Sequence, residues 1–131
     1  MTKRRGKTQL SELQLAVMRV LWRRREATTA EVVADLAAER GLAHTTVATL
    51  LTRLEKRGVV AQRRDGRSFV YSACMSETEV QRSMVAGLVA SLFAGDSAAL
   101  VAHLVREDEV TPGDLAAIRA RLAAAPESED V

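Results

Sequence analysis

A chain of 131 residues, 47% of them apolar and with a single cysteine, has room for one domain plus an appendage, and excludes a disulfide-stapled fold or a cysteine-based metal cluster. Its formal net charge of +2 conceals a division: residues 1–72 hold 15 Lys/Arg against 7 Asp/Glu, whereas residues 73–131 hold 4 against 10. A basic front and an acidic rear suggest a part that binds a polyanion joined to a part that binds something else.

The aromatic residues are Trp22, Phe69, Tyr71 and Phe93, so the core must be mostly Leu, Val and Ala, a composition that favours helices over a sandwich or barrel. The start, MTKRRGKTQL, is basic but leads into no apolar run, so no secretory signal is expected. Nor does any apolar run approach the ~20 residues needed to cross a bilayer. With the lone Cys74, this makes a soluble protein of the reducing cytoplasm the expectation, without membrane insertion.

In chain order, residues 1–9 are expected to form a mobile basic arm. Ser11 and Gln14 fit a capping box, and Leu13, Val17, Val20 and Leu21 follow at helical spacing, which predicts a helix to about Arg24. Thr28 and Glu31 repeat the box. Val32, Val33 and Leu36 then predict a short helix ending near Arg40, with Gly41 as its stop. The third helix lies in TTVATLLTRLEKRGVV, residues 45–60, where Val47, Leu50, Leu51 and Leu54 make one apolar stripe and Gly58 is the expected C′ residue. Two strand-like runs, 59–63 and 68–73, flank a turn centred on Asp65-Gly66.

Three helices followed by a basic hairpin make a winged helix-turn-helix. Beyond it, Ser76 and Glu79 open a helix through about Phe93, Gly95 breaks the chain, and a shorter helix covers roughly 97–106. Thr111 caps a last helix with Pro112 at its first position, and the tail PESEDV is acidic and expected to fray. The charge reversal near residues 73–76 sets the division: residues 1–74 a winged helix-turn-helix DNA-binding domain, residues 75–131 a helical dimerisation domain, the whole mainly α.

The third helix spends its polar face on short hydroxyls. Thr45, Thr46, Thr49 and Arg53 are the candidates for base contact, since a threonine methyl meets a thymine methyl and an arginine grips guanine O6 and N7. Lys56 suits the DNA backbone, as do Arg63, Arg64 and Arg67, which crowd the hairpin turn where like charges repel unless phosphates neutralise them. The bland reading of both features is ordinary solvated surface.

The rear helices carry wide apolar faces on too small a unit to be stable alone, so they must pack on the front domain or on a second copy. Met84, Leu88, Leu92, Leu100, Leu104, Leu115, Ile118 and Leu122 are the expected dimerisation residues. Two-fold pairing suits DNA, because two recognition helices would then face successive major grooves. Catalysis has little support. His44 and His103 stand without cysteines at ligand spacing, no phosphate loop or nucleophile elbow is present, and neither cofactor nor metal is implied. The rival reading is a helical adaptor that binds a protein partner through its rear, with only nonspecific affinity for nucleic acid.

The runs LSELQLAVMRVLWRRREATTAEVVADL, TTVATLLTRLEKRGVV and RRDGRSFVYSA together resemble the BlaI/MecI penicillinase-repressor family, and FAGDSAALVAHLVREDEVTPGDLAAIRARL is similar to its dimerisation region. The resemblance implies a dimeric winged-helix repressor seated on an inverted repeat of double-stranded promoter DNA. It also implies a release route, in which a membrane sensor metalloprotease detects a β-lactam and the repressor is cut, here at the bond His103–Leu104. A copper-sensing branch uses paired cysteines near the C-terminus, and this chain has none there.

Overall fold

The computed structural model describes residues 8–124, which form two compact units, one ending at Gly87 and the other beginning at Leu88. The elements run α1 (Glu12–Arg24), β1 (Glu26–Ala27), α2 (Thr29–Leu36), α3 (His44–Lys56), β2 (Val60–Asp65), β3 (Ser68–Ala73), α4 (Glu77–Leu92), α5 (Ser97–Arg106) and α6 (Pro112–Ala124). The strands form one antiparallel sheet in the order β1-β3-β2.

Local chemistry fixes where the helices begin. Ser11 accepts the Gln14 amide at 3.1 Å while the Gln14 side chain accepts the Ser11 amide at 2.9 Å, and this reciprocal pair opens α1. Thr28 with Glu31, Ser76 with Glu79 and Thr111 with Asp114 do the same for α2, α4 and α6, and Asp96 caps α5 through the Ala99 amide. Each such cap satisfies amides that have no partner within the helix, a contribution of about 1 kcal/mol. Helix α3 is the exception: its N-cap is Ala43, with no side-chain bond to the first turn.

The core of the first unit follows from helical spacing. Val17, Met18 and Leu21 of α1 meet Val47, Leu51 and Leu54 of α3, all fully buried. Val32 of α2 and Ala27, Val60 and Tyr71 of the sheet close the core, and Val80 on the first turns of α4 seals it. Helix α3 ends as the sequence predicts. Gly58, at φ 79°, donates to the Glu55 carbonyl, Val59 donates to that of Leu54, and the buried Val59 and Leu54 side chains accompany the turn.

Several expectations need correction. Helix α2 stops at Leu36, not near Arg40: the Ala37 amide turns to the Ala34 carbonyl at 3.3 Å, an i→i−3 bond that tightens the last turn, and residues 37–39 form a turn. Gly41 is not left-handed and does not stop the helix. The two-residue strand β1 is too short to leave a pattern in the sequence. The hairpin loop is Gly66-Arg67 rather than Asp65-Gly66, since Asp65 pairs with Ser68 and the positive φ of 65° falls on Gly66.

The expected arm at residues 1–9 lies partly, and the acidic tail PESEDV wholly, outside the described residues. Its described end, however, is docked. Thr8 is buried, its carbonyl accepts the Ser83 hydroxyl at 2.8 Å, and the Gln9 side chain donates to the Ser83 carbonyl at 3.3 Å. The Gln9 amide lies where a Cβ on Gly87 would be. These contacts carry the first unit into α4, so it ends thirteen residues later than the composition boundary at residues 74 and 75. Met84, expected in a dimer face, is half-buried against the core of this unit.

The second unit contains the end of α4 together with α5 and α6. Helix α5 ends in a left-handed Asp108 (φ 63°), with Glu109 donating to the Leu104 carbonyl, so the acidic run 107–109 is a solvated helix end. No residue of α5 or α6 is buried. Leu92, Val101, Leu115, Ile118 and Leu122 are all exposed, Leu122 by 71%. Among the described residues no single helix is long and apolar enough to cross a membrane.

Candidate nucleic-acid interface

Helix α3 presents two faces that burial separates cleanly. Val47, Leu50, Leu51 and Leu54 are buried, while Thr45, Thr46, Thr49, Arg53 and Lys56 are exposed. At about 100° per residue these five, with the exposed Thr52, fall within about 120° of the helix circumference. The surface is low in profile, because threonine projects little beyond the backbone, and it carries cations toward its C-terminal end. Such a face can approach base edges closely while Arg53 and Lys56 reach further out. The predicted recognition residues are therefore brought together on one accessible surface.

The α3 N-terminus opens onto the same surface. The first backbone bond that closes the helix is from the Val47 amide to the Ala43 carbonyl, and the N-cap Ala43 has no side chain to take up the amides before it. His44 is the first helical residue and is exposed. At the other end Arg57 donates to the Gln9 carbonyl at 2.9 Å, so this guanidinium is partly committed to holding the N-terminal segment.

The wing arginines, which the sequence groups as equivalents, have different surroundings. Side chains alternate across β3. Phe69, Tyr71 and Ala73 lie on the face that packs on the helices, opposite Arg64, Gln62 and Val60 of β2. Arg63 is on the reverse face, where it donates to Glu26 of β1 at 2.9 Å. That hydrogen bond, reinforced by the charge of the arginine, holds the Glu26 carboxyl below its ordinary range and raises Arg63. Arg64 has no carboxylate partner among the described residues, and its guanidinium lies 5.2 Å from the centre of the Phe69 ring. Arg67 occupies the exposed second position of the loop. Burial, with Glu55 nearby, raises the Tyr71 phenol above its ordinary value, so it stays neutral beneath the wing.

The Glu26 and Phe69 partnerships are not among the expectations from sequence. Glu26 belongs to a strand too short to leave a pattern. The Phe69 pairing was legible in principle, but only with the loop at Gly66-Arg67; one residue of error shifts every cross-strand partner.

In the second unit, Leu88, Leu92, Leu115, Ile118 and Leu122 are exposed and Leu100 and Leu104 are half-buried. Exposed Val101 joins them, and Val85 is exposed on α4. Leu115, Ile118 and Leu122 line one open apolar face of α6. His103 is exposed with its ring 6.1 Å from that of Phe93. The bond His103–Leu104 lies inside hydrogen-bonded helix: the His103 carbonyl accepts from Glu107 at 3.0 Å and that of Leu104 from Glu109 at 2.9 Å.

Comparison with known proteins adds a direct line. The family model described as penicillinase repressor matches residues 10–124, which spans both units. The transcriptional regulator BlaI of Mycobacterium tuberculosis is 38% identical over 122 residues, covering 88% of this chain and 84% of its own. The penicillinase repressor of Bacillus licheniformis is 26% identical over 103 residues, covering 79% of this chain and 80% of its own. Among solved structures, the DNA-binding domain of the repressor BlaI aligns with a TM-score of 0.50 at 33% identity, covering 56% of this chain and 92% of that domain.

Proposed function

This chain belongs to the penicillinase repressor family, so it is a DNA-binding transcriptional repressor rather than an enzyme, and we propose that it works as a homodimer on an inverted-repeat operator. The observation that carries the reading is the exposed threonine and arginine face of α3, set opposite a stripe that is wholly buried. Thr45, Thr46, Thr49 and Arg53 read base edges in the major groove, and Lys56 holds the backbone. Arg64 and Arg67 take phosphates beside the groove. Arg63 contributes less, because Glu26 already neutralises it.

The rear unit supports pairing through its uncovered apolar surface. Exposure of several large apolar side chains on one face, as Leu115, Ile118 and Leu122 have on α6, is typical of a face that another protein covers. A second copy is the occupant that fits the proposed operator, because the two heads then span successive major grooves ~34 Å apart. Linking two heads raises the effective concentration of the second, commonly by about 10²–10⁴-fold.

Release would follow from cutting at His103–Leu104 by a membrane sensor metalloprotease that answers to a β-lactam. The cut would detach α6, and with it Leu115, Ile118 and Leu122, from the pairing surface. The bond is held in helix, so the last turn of α5 must open before a protease can bind it extended. A chain truncated after His103 is expected to sediment as a monomer and to bind its operator far more weakly; unchanged dimerisation would reject this route.

The test of the main reading is competition binding. The duplex is drawn from the chain's own upstream region and competed with scrambled DNA of equal length. A preference of ~10³-fold or more supports a sequence-reading repressor. No preference would favour an adaptor with only nonspecific affinity.

A further inference from the structure

Phe69 is out of place by the ordinary logic of burial. Its neighbours on the same sheet face, Tyr71 and Ala73, pack into or against the core, as does Val60 across the ladder, yet Phe69 is 42% exposed and outside that cluster. An aromatic ring there gains little by removing apolar surface from water. What it meets is Arg64, its direct partner across the hairpin. The pair sits one step from a two-residue loop, where an antiparallel ladder brings opposing side chains closest. The guanidinium lies 5.2 Å from the ring centre, within the range of a cation–π contact.

We propose that Phe69 is a positioning residue for DNA binding, its ring holding the Arg64 guanidinium on the recognition-helix side of the wing. This rests on the DNA-binding reading above and adds a residue to it. The contrast with Arg63 gives the physical reason. An arginine held by a carboxylate gives up charge and N–H groups to its partner, as Arg63 does to Glu26. One held over a ring keeps its full charge and leaves its N–H edges open to phosphate oxygens. It also loses less side-chain freedom when it docks, because part of that freedom is already gone. The wing thus directs one arginine to the front of the sheet with an aromatic ring and retains another behind it with an acid.

The experiment is a double-mutant cycle on the full-length protein, with a duplex from its own upstream region bearing the footprinted site as probe. Phe69→Leu is expected to weaken binding roughly two- to fivefold per half-site. Phe69→Tyr, which keeps the π face, should restore it. Arg64→Gln should weaken binding more, and Phe69→Leu should then add nothing in the Arg64→Gln background. A loss from Phe69→Leu that persists in that background would mean that the ring touches DNA or supports the fold itself, and would overturn the proposal while leaving the wing's role intact. Failure of Phe69→Tyr to restore binding would overturn it too. Arg64→Gln without effect would overturn both the proposal and the wing's part in binding.

Discussion

The two units of this protein are built from helices of similar quality and differ in what those helices bury. In the head, Val17, Met18 and Leu21 of α1 disappear against Val47, Leu51 and Leu54 of α3. In the rear unit α5 and α6 are as well capped, by Asp96 and by Thr111 with Asp114, yet neither helix buries one residue. Capping and periodicity are therefore local properties that say where a helix is, and burial is a separate property that says whether its surroundings are complete. By that measure the head closes a core within one chain, whereas α5 and α6 leave their apolar residues half-buried or exposed.

The largest effect should come from placing a charge in the uncovered face. Ile118→Asp leaves the single chain little changed, since Ile118 is exposed in it, but should convert a dimer to a monomer in sedimentation. Operator affinity should fall by about 10²–10⁴-fold with the loss of linked heads. A variant that stays dimeric and binds normally would break the comparison at its root. Next come paired truncations. Leu51→Ala in the head should cost about 2–5 kcal/mol of unfolding free energy, whatever the protein concentration. Leu122→Ala should act chiefly on the concentration dependence of melting, if the proposed pairing covers this side chain, which is 71% exposed in the single chain.

Much of the head was legible because its signals are dense and local. Ser11 with Gln14, the stripe from Val47 to Leu54 and the glycine at 58 each fix one feature with one physical cause, and the structure has all of them. What was not legible depends on contacts between distant residues. The docking of Thr8 and Gln9 requires Ser83, some 75 positions away in the chain. The different surroundings of the wing arginines depend on the exact register of β2 on β3 and on the two-residue strand β1 behind it.

A finer prediction follows within the head. Arg64→Ala or Arg67→Ala should each lower the salt slope of DNA binding by about one per head, and Arg63→Ala by clearly less. Equal slopes for all three would mean that Glu26 releases Arg63 on binding. Smaller still is the loss of a cap: Thr28→Ala should cost the head about 1 kcal/mol in denaturant unfolding.

The smallest effect is with pH. Asp35, hydrogen-bonded by Arg24 at 2.8 Å, has its carboxyl held below the ordinary range, as does Glu26 beside Arg63. A depressed carboxyl stabilises the fold at pH above its ordinary value, and that contribution is lost as the pH falls below about 4. Melting temperature should therefore decline slightly through that range, and less steeply in Asp35→Asn.

The most direct test is the mass of the complex in sedimentation when the full-length protein saturates a duplex carrying its footprinted upstream site. Two chains per duplex, falling to weakly held single chains for Ile118→Asp, is the predicted result. One chain per duplex for the unaltered protein, bound as tightly as before, would contradict the account.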